Sequence, residues 1–172
     1  HLVVVQSESF FDARRLAAAI RPEVLREFDA LRAEAQFSGR LAVAAWGANT
    51  VRTEFAFLSG LANDALGIHR FNPYRRLARQ GIVSLAEVLR RHGYRTVCVH
   101  PYASSFYGRN QVFPHLGFDE FIDRRQFAET DRHSPYIGDL AVAERVCSLL
   151  REHPSRPLFV FVITMENHGP LH

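Results

Sequence analysis

The chain has no lysine: all 21 of its basic residues are arginine. A Walker A phosphate loop needs its lysine, so P-loop nucleotide chemistry is excluded. A Schiff base on a lysine amine is excluded for the same reason. Cysteine is scarce as well. Cys98 and Cys147 make neither a disulfide framework nor a C-x-x-C metal pair. Each sits in an apolar pattern and reads as a small buried hydrophobe. No run reaches the ~18 apolar residues needed to span a bilayer, and none has the make-up of a secretory leader. Repeats, low-complexity tracts and linkers are absent, so nothing divides the chain into parts.

What is present suits one globular domain: 172 residues, 47% of them hydrophobic and 23% charged. The net charge is only +3, and the arginines lie in scattered pairs such as Arg14-Arg15, Arg75-Arg76, Arg90-Arg91 and Arg124-Arg125. Such pairs mark solvated helix faces, and no aromatics interleave with them as an RNA-stacking surface requires. Nucleic acid is therefore not an expected partner. The chain opens inside a strand-like run at His1 and stops two residues after Pro170, which leads us to expect a piece of a longer protein.

Apolar, β-branched runs occur at Leu2 to Val5, Leu41 to Ala45, Thr96 to Val99 and Leu158 to Thr164. Each is nearly continuous rather than alternating, which predicts strands buried on both faces of a parallel sheet. Helical periodicity runs between them. Residues Pro22 to Ala35 place Val24, Leu25, Phe28, Leu31 and Ala35 on one stripe. Ser84 to Arg91 opens with a capping box, Ser84 and Glu87, and ends near Gly93. Asp139 to Arg151 repeats the period. Strands alternating with helices predict a layered α/β domain.

In open parallel sheets, ligands bind beyond the carboxyl ends of the strands. After the first run comes Gln6-Ser7-Glu8-Ser9-Phe10, and after the second Gly47-Ala48-Asn49-Thr50. The third is followed by His100-Pro101-Tyr102, the fourth by Glu166-Asn167-His168-Gly169-Pro170. A carboxylate, a hydroxyl at a helix start and two histidines thus gather on one edge, the make-up of a metal-assisted site. Each also has a plainer reading. Thr50 is either an N-cap or a nucleophile facing anions at a helix N-terminus. Glu8 is either an exposed loop carboxylate or an oxygen ligand for a hard cation. His168 also reads as an ordinary hydrogen-bonded loop histidine, and Arg109 as the partner of a surface acid.

Four separated segments, in order, resemble the lipoteichoic-acid-synthase type of phosphoglycerol transferase. Val3-Val-Val-Gln-Ser-Glu-Ser-Phe10 is similar to that family's first metal-binding segment, which makes Glu8 a metal ligand. Asn49-Thr-Val-Arg-Thr-Glu-Phe55 with Leu58-Ser-Gly-Leu61 resembles its nucleophile segment, in which the threonine is Thr50. His100-Pro-Tyr102, Phe106-Tyr-Gly-Arg-Asn-Gln-Val112 and Gly117-Phe-Asp-Glu-Phe121 resemble the phosphate-binding segment, mapping to His100, Tyr107 and Arg109. Thr164-Met-Glu-Asn-His-Gly-Pro170 is similar to the strand end that carries the substrate histidine, here His168.

The resemblance implies a three-layer α/β/α sandwich with a mainly parallel sheet, alkaline-phosphatase-like and C-terminally incomplete. The rest of the family's metal ligands, an Asp-His pair, belong to a segment beyond His172. The implied cofactor is a divalent metal, Mn2+ or Mg2+, held by Glu8 and Thr50. The implied donor is a phospholipid such as phosphatidylglycerol, the acceptor a glycan or polyol phosphate. The whole protein would be anchored in the cell membrane, with this domain facing the periplasm or the exterior. Tyr107 stands where the family often has tryptophan, which bears on the head group or acceptor preferred. Rival readings are a phosphodiesterase with the same threonine, a catalytically dead glycan- or lipid-binding relative, and a formylglycine sulfatase. The last lacks its C/S-x-P-x-R pattern, and a threonine cannot become formylglycine. Serine-hydrolase chemistry lacks its G-x-S-x-G elbow.

Overall fold

Every residue of the strand Leu158–Ile163 is buried, as its unbroken apolar sequence requires. In the computed structural model, which describes residues 1–44, 49–133, 135–152 and 155–169, this strand lies inside a parallel sheet. In chain order the strands are β1 (Leu2–Gln6), β2 (Arg95–Val99), β3 (Glu120–Ile122), β4 (Arg132–His133), β5 (Tyr136–Ile137) and β6 (Leu158–Ile163). The sheet order is β1-β6-β2-β3, all parallel, while β4 and β5 form a separate antiparallel pair.

Parallel neighbours need crossovers, and the helices supply them. They are α1 (Arg26–Glu34), α2 (Val51–Ser59), α3 (Leu85–Arg91), α4 (Arg109–Val112) and α5 (Asp139–Glu152). Side chains alternate across β6. Phe159, Phe161 and Ile163 join Cys98 of β2 in packing on Val51, Phe55 and Leu58 of α2 and Ala86 of α3. Leu158, Val160 and Val162 join Val97 and Val99 in packing on Val142, Val146 and Leu149 of α5. Burying each such aliphatic or aromatic side chain contributes roughly 1.5–3 kcal/mol. Helices on both faces of a parallel sheet make the three-layer α/β/α arrangement that the family resemblance implies.

Local signals were realised unevenly. Ser84 caps α3 by accepting the Glu87 N–H at 3.1 Å, and its hydroxyl donates to the Leu116 carbonyl. The Glu87 carboxylate does not close the box but pairs with Arg90 and Arg91 at 2.7 and 2.8 Å. The helix predicted over Pro22 to Ala35 is a 3-10 turn, Pro22–Leu25, followed by α1, and none of its residues is buried.

Three expectations fail. The Leu2 to Val5 run forms β1 but is not buried on both faces: Leu2, Val3 and Val5 are exposed. Residues 41–44 form no strand, and Leu41 and Val43 are exposed; Ala45 lies outside the described residues. β composition makes a strand only where a ladder partner accepts it. Among the described residues β1 pairs only with β6, so its other edge carries none. Cys147 is exposed rather than buried, because it falls off the Val142-Val146-Leu149 stripe of α5.

Candidate active site

Because β1, β2 and β6 run parallel, the residues that follow them emerge at one sheet edge. Glu8 follows β1, His100 follows β2, and Thr164 and His168 follow β6. The first group forms around Thr50. Its Oγ1 donates to Glu8 Oε2 at 3.3 Å, and the Glu8 N–H donates to Thr164 Oγ1 at 3.0 Å. The Thr164 N–H in turn donates to the Gln6 carbonyl at 3.1 Å, extending the β1–β6 ladder one step past the strands. Both Thr50 and Glu8 are half-buried.

The two readings of Thr50 separate here. Its side chain makes no capping bond, and its backbone is already helical, with φ −47° and ψ −32°. Asn49 before it adopts φ +58°, a left-handed conformation that asparagine tolerates better than most residues. The hydroxyl is therefore turned away from the helix backbone and towards Glu8. The Gly47-Ala48 turn leading into it lies outside the described residues.

A second group is buried behind the first. Arg109 is 2% exposed and Glu54 fully buried. Arg109 Nη2 donates to Glu54 Oε2 at 2.7 Å and Oε1 at 3.1 Å, with Nε reaching Oε1 at 3.3 Å. The Tyr74 hydroxyl donates to Glu54 Oε1 at 3.0 Å. Burial pulls the Arg109 pKa down, but Glu54 more than offsets that and leaves it raised. Burial, then the charge of Glu54, pushes the Tyr74 hydroxyl well up.

Arg109 Nη1 faces His100 Nε2 at 3.3 Å, and His100 Nδ1 lies 3.1 Å from the Ile163 carbonyl. A carbonyl only accepts, so Nδ1 carries the proton and Nε2 offers its lone pair to Arg109. Burial, reinforced by the Arg109 charge, drives the His100 pKa to about 3 and holds the ring neutral. This corrects two expectations. Arg109 does not present an open fork for a two-point grip on phosphate, because Glu54 fills it. Nor does His100 offer a free nitrogen to a substrate, because both are used within the protein.

The third group is more open. Tyr107 has φ +55° and Gly108 φ +66°, a left-handed pair that leads straight into α4 and Arg109. The Tyr107 ring lies 5.3 Å from the Arg109 guanidinium. His168 Nδ1 sits 2.7 Å from the Gly169 carbonyl and 3.4 Å from the Tyr136 hydroxyl. Tyr136 of β5 reaches His100 through Tyr102, with ring centroids 6.1 and then 6.2 Å apart. The structure thus joins Glu8 to Thr50 and His100 to Arg109. Among the described residues no hydrogen bond ties His168 or Tyr107 to Thr50.

Glu8 and Thr50 offer two adjacent hard oxygen donors, which fit a divalent cation. Among the described residues no three His, Cys, Asp or Glu side chains cluster closely enough to complete a metal site. Two oxygen donors alone do not complete a ligand shell.

The sulfatase family model matches residues 1–172. The chain belongs to the sulfatase family. Among its relatives, capsular polysaccharide biosynthesis protein RkpI of Rhizobium meliloti (strain 1021) is 36% identical over 171 residues, covering 98% of this chain and 31% of RkpI. The lipoteichoic acid synthase LtaP from Listeria monocytogenes superposes with a TM-score of 0.81 at 24% identity, covering 98% of this chain and 41% of that one. The Streptococcus pyogenes phosphoglycerol transferase GacH, solved with sn-glycerol-1-phosphate, gives 0.79 at 22% identity, covering 99% and 46%. A protein in the alkaline phosphatase superfamily from Vibrio parahaemolyticus gives 0.74 at 21% identity, covering 99% and 41%, so the fold is alkaline-phosphatase-like. The chain spans about a third of the length of RkpI.

Sequence reasoning gave no role to Glu54, though it lies in the segment matched to the nucleophile motif, nor to Tyr74, Thr164 or Tyr136, all of which these groups bring together. One signal was available. Glu54 falls on the apolar stripe of α2 with Val51, Phe55 and Leu58, and a carboxylate on a buried stripe must find a cation. Thr164 and Tyr136 carried none, since their roles arise from strand pairing.

Proposed function

We propose that this chain carries the nucleophile of a metal-dependent phospho-alcohol transferase acting on a phospholipid phosphodiester. The observation that carries the reading is the uncapped Thr50 hydroxyl, turned to Glu8 at the start of α2. The N–H groups and dipole of a helix N-terminus favour an anion, and a phosphodiester bound there lies next to Oγ1.

Thr50 Oγ1, its proton released to water as the hydroxyl ionises, attacks phosphorus; the Oγ1–P bond forms and the P–O bond to the diacylglycerol alcohol breaks, leaving phosphoglycerol on Thr50. His168, in the open loop after β6, delivers a proton to the departing oxygen. An acceptor hydroxyl on a glycan or polyol phosphate then gives its proton back to His168 and attacks the same phosphorus; the P–Oγ1 bond breaks and frees Thr50. Glu8 orients the nucleophile, and Tyr107 forms an aromatic wall over Arg109. A divalent cation, Mn2+ or Mg2+, held by Glu8 and Thr50, supplies charge neutralisation at the phosphate and a more acidic hydroxyl. The names of the relatives agree with such a role: RkpI belongs to capsular polysaccharide biosynthesis, and GacH is a phosphoglycerol transferase. The expected setting is the outer face of the cell membrane, with anchoring by other parts of the whole protein. No described helix is long and apolar enough to cross a membrane.

Intact-mass analysis of the complete protein incubated with phosphatidylglycerol tests the reading. A phosphoglycerol adduct on Thr50, absent from Thr50→Ala, is expected. An adduct on another residue, or none, would overturn it.

A further inference from the structure

We propose that Glu54 is a positioning residue for this transfer: it anchors Arg109 behind the nucleophile's helix, and Arg109 holds His100 in one tautomer. The inference rests on the transferase reading for its kinetic consequence, though not for its geometry. Glu54 stands one turn after Thr50, and its N–H donates to the Thr50 carbonyl at 3.0 Å. Whatever fixes the Glu54 side chain therefore fixes the register of the nucleophile.

The carboxylate is saturated by three contacts from Arg109 and one from the Tyr74 hydroxyl, with no exposure to water. Stability alone gives little reason for such a pair, since well-packed apolar side chains in its place are often as stable or more so. Its reach gives a better one. Arg109 opens α4 directly after the left-handed Tyr107-Gly108 pair, so holding the guanidinium also holds the Tyr107 ring over it. Its remaining Nη1 takes the His100 lone pair, and His100 Nδ1–H is fastened to the last carbonyl of β6. Thr164, next along the chain, receives the Glu8 N–H. A continuous bonded path thus runs from Thr50 through Glu54, Arg109, His100 and β6 to Thr164 and Glu8. It closes back on Thr50 through the Glu8–Thr50 bond. The nucleophile and the carboxylate beside it are held from behind by one ring of contacts.

The test uses E54Q in the complete protein, with two readouts. In the wild type, the 15N shifts of His100 should report a single Nδ1–H tautomer, and in E54Q a mixture. The kcat for phosphoglycerol transfer should fall about tenfold or more while KM for phosphatidylglycerol changes less than about threefold, as for a misplaced but still binding-competent site. Should E54Q fail to fold, Glu54→Asp keeps the charge while retracting it by one methylene, and the same two changes are expected. A folded E54Q or Glu54→Asp protein with wild-type kcat and an unchanged His100 tautomer would overturn the proposal. A wild-type protein that forms no Thr50 adduct overturns the transferase reading instead, and the tautomer measurement still decides whether Glu54 anchors the ring.

Discussion

Glu54 and Arg109, fifty-five positions apart in the chain, form a buried ion pair one helical turn behind Thr50. The pair joins the helix that starts at Thr50 to the segment that carries Tyr107. Removing one partner strands the other's charge in an apolar core. Glu54→Leu should therefore cost about 3–5 kcal/mol, and Glu54→Leu combined with Arg109→Met should recover most of it. Urea unfolding of the three proteins measures this. A double variant as unstable as the single would mean that packing, not charge, sets the cost.

Thr50→Ala should abolish turnover in the complete protein and barely affect folding. The hydroxyl makes no cap, and its one bond, to Glu8, is long and half-exposed. The expected stability loss is below about 1 kcal/mol. A larger loss, followed by denaturant titration alongside the activity assay, would show that Thr50 is chiefly structural.

The neutral, buried His100 makes stability depend on acid. Its folded pKa of about 3 lies below its ordinary value of 6.5, so the unfolded chain binds the extra proton first. Its contribution is constant above about pH 6.5, and stability is lost as pH falls from there towards 3. The slope approaches about 1.4 kcal/mol per pH unit within that window. The difference in unfolding free energy between wild type and His100→Gln, followed from pH 7 to pH 4, isolates this term from the carboxylates. A difference that does not change with pH would place His100 in contact with water.

Manganese should bind this chain weakly, with a dissociation constant well above about 1 μM. Two oxygen donors leave most of a six-coordinate shell to water. Calorimetric titration should show that weak heat disappear in Glu8→Gln. A sub-micromolar site would reveal a fuller ligand set than the described residues bring together.

Gly117→Ala should destabilise the protein by roughly 1–3 kcal/mol. The glycine has φ +85°, and an added Cβ would lie 2.6 Å from the Glu87 Cα. Thermal unfolding checks this. An unchanged midpoint would mean that α3 can shift away from the turn.

Much of this protein was determined by its sequence alone. The apolar runs Val97 to Val99 and Leu158 to Ile163 dictate strand segments buried on both faces, because none of these side chains favours water. The helical periods that cross between the strands then dictate the layers. The strand-end positions of Glu8, His100 and His168 follow from that order, since parallel strands deliver their carboxyl ends to one edge. Tertiary structure decided the rest. Leu41 to Val43 has strand composition but no ladder, and pairing is a property of two segments rather than one. That Thr50 is not a cap and turns its hydroxyl to Glu8 was decided by a torsion and a neighbour 42 residues away in the chain. Arg109 was legible as a cation, but whether its fork faces a ligand or Glu54 depends on which carboxylate the folded core brings against it. Local chemistry names the groups a site can use; only packing across the chain decides which of them are already taken.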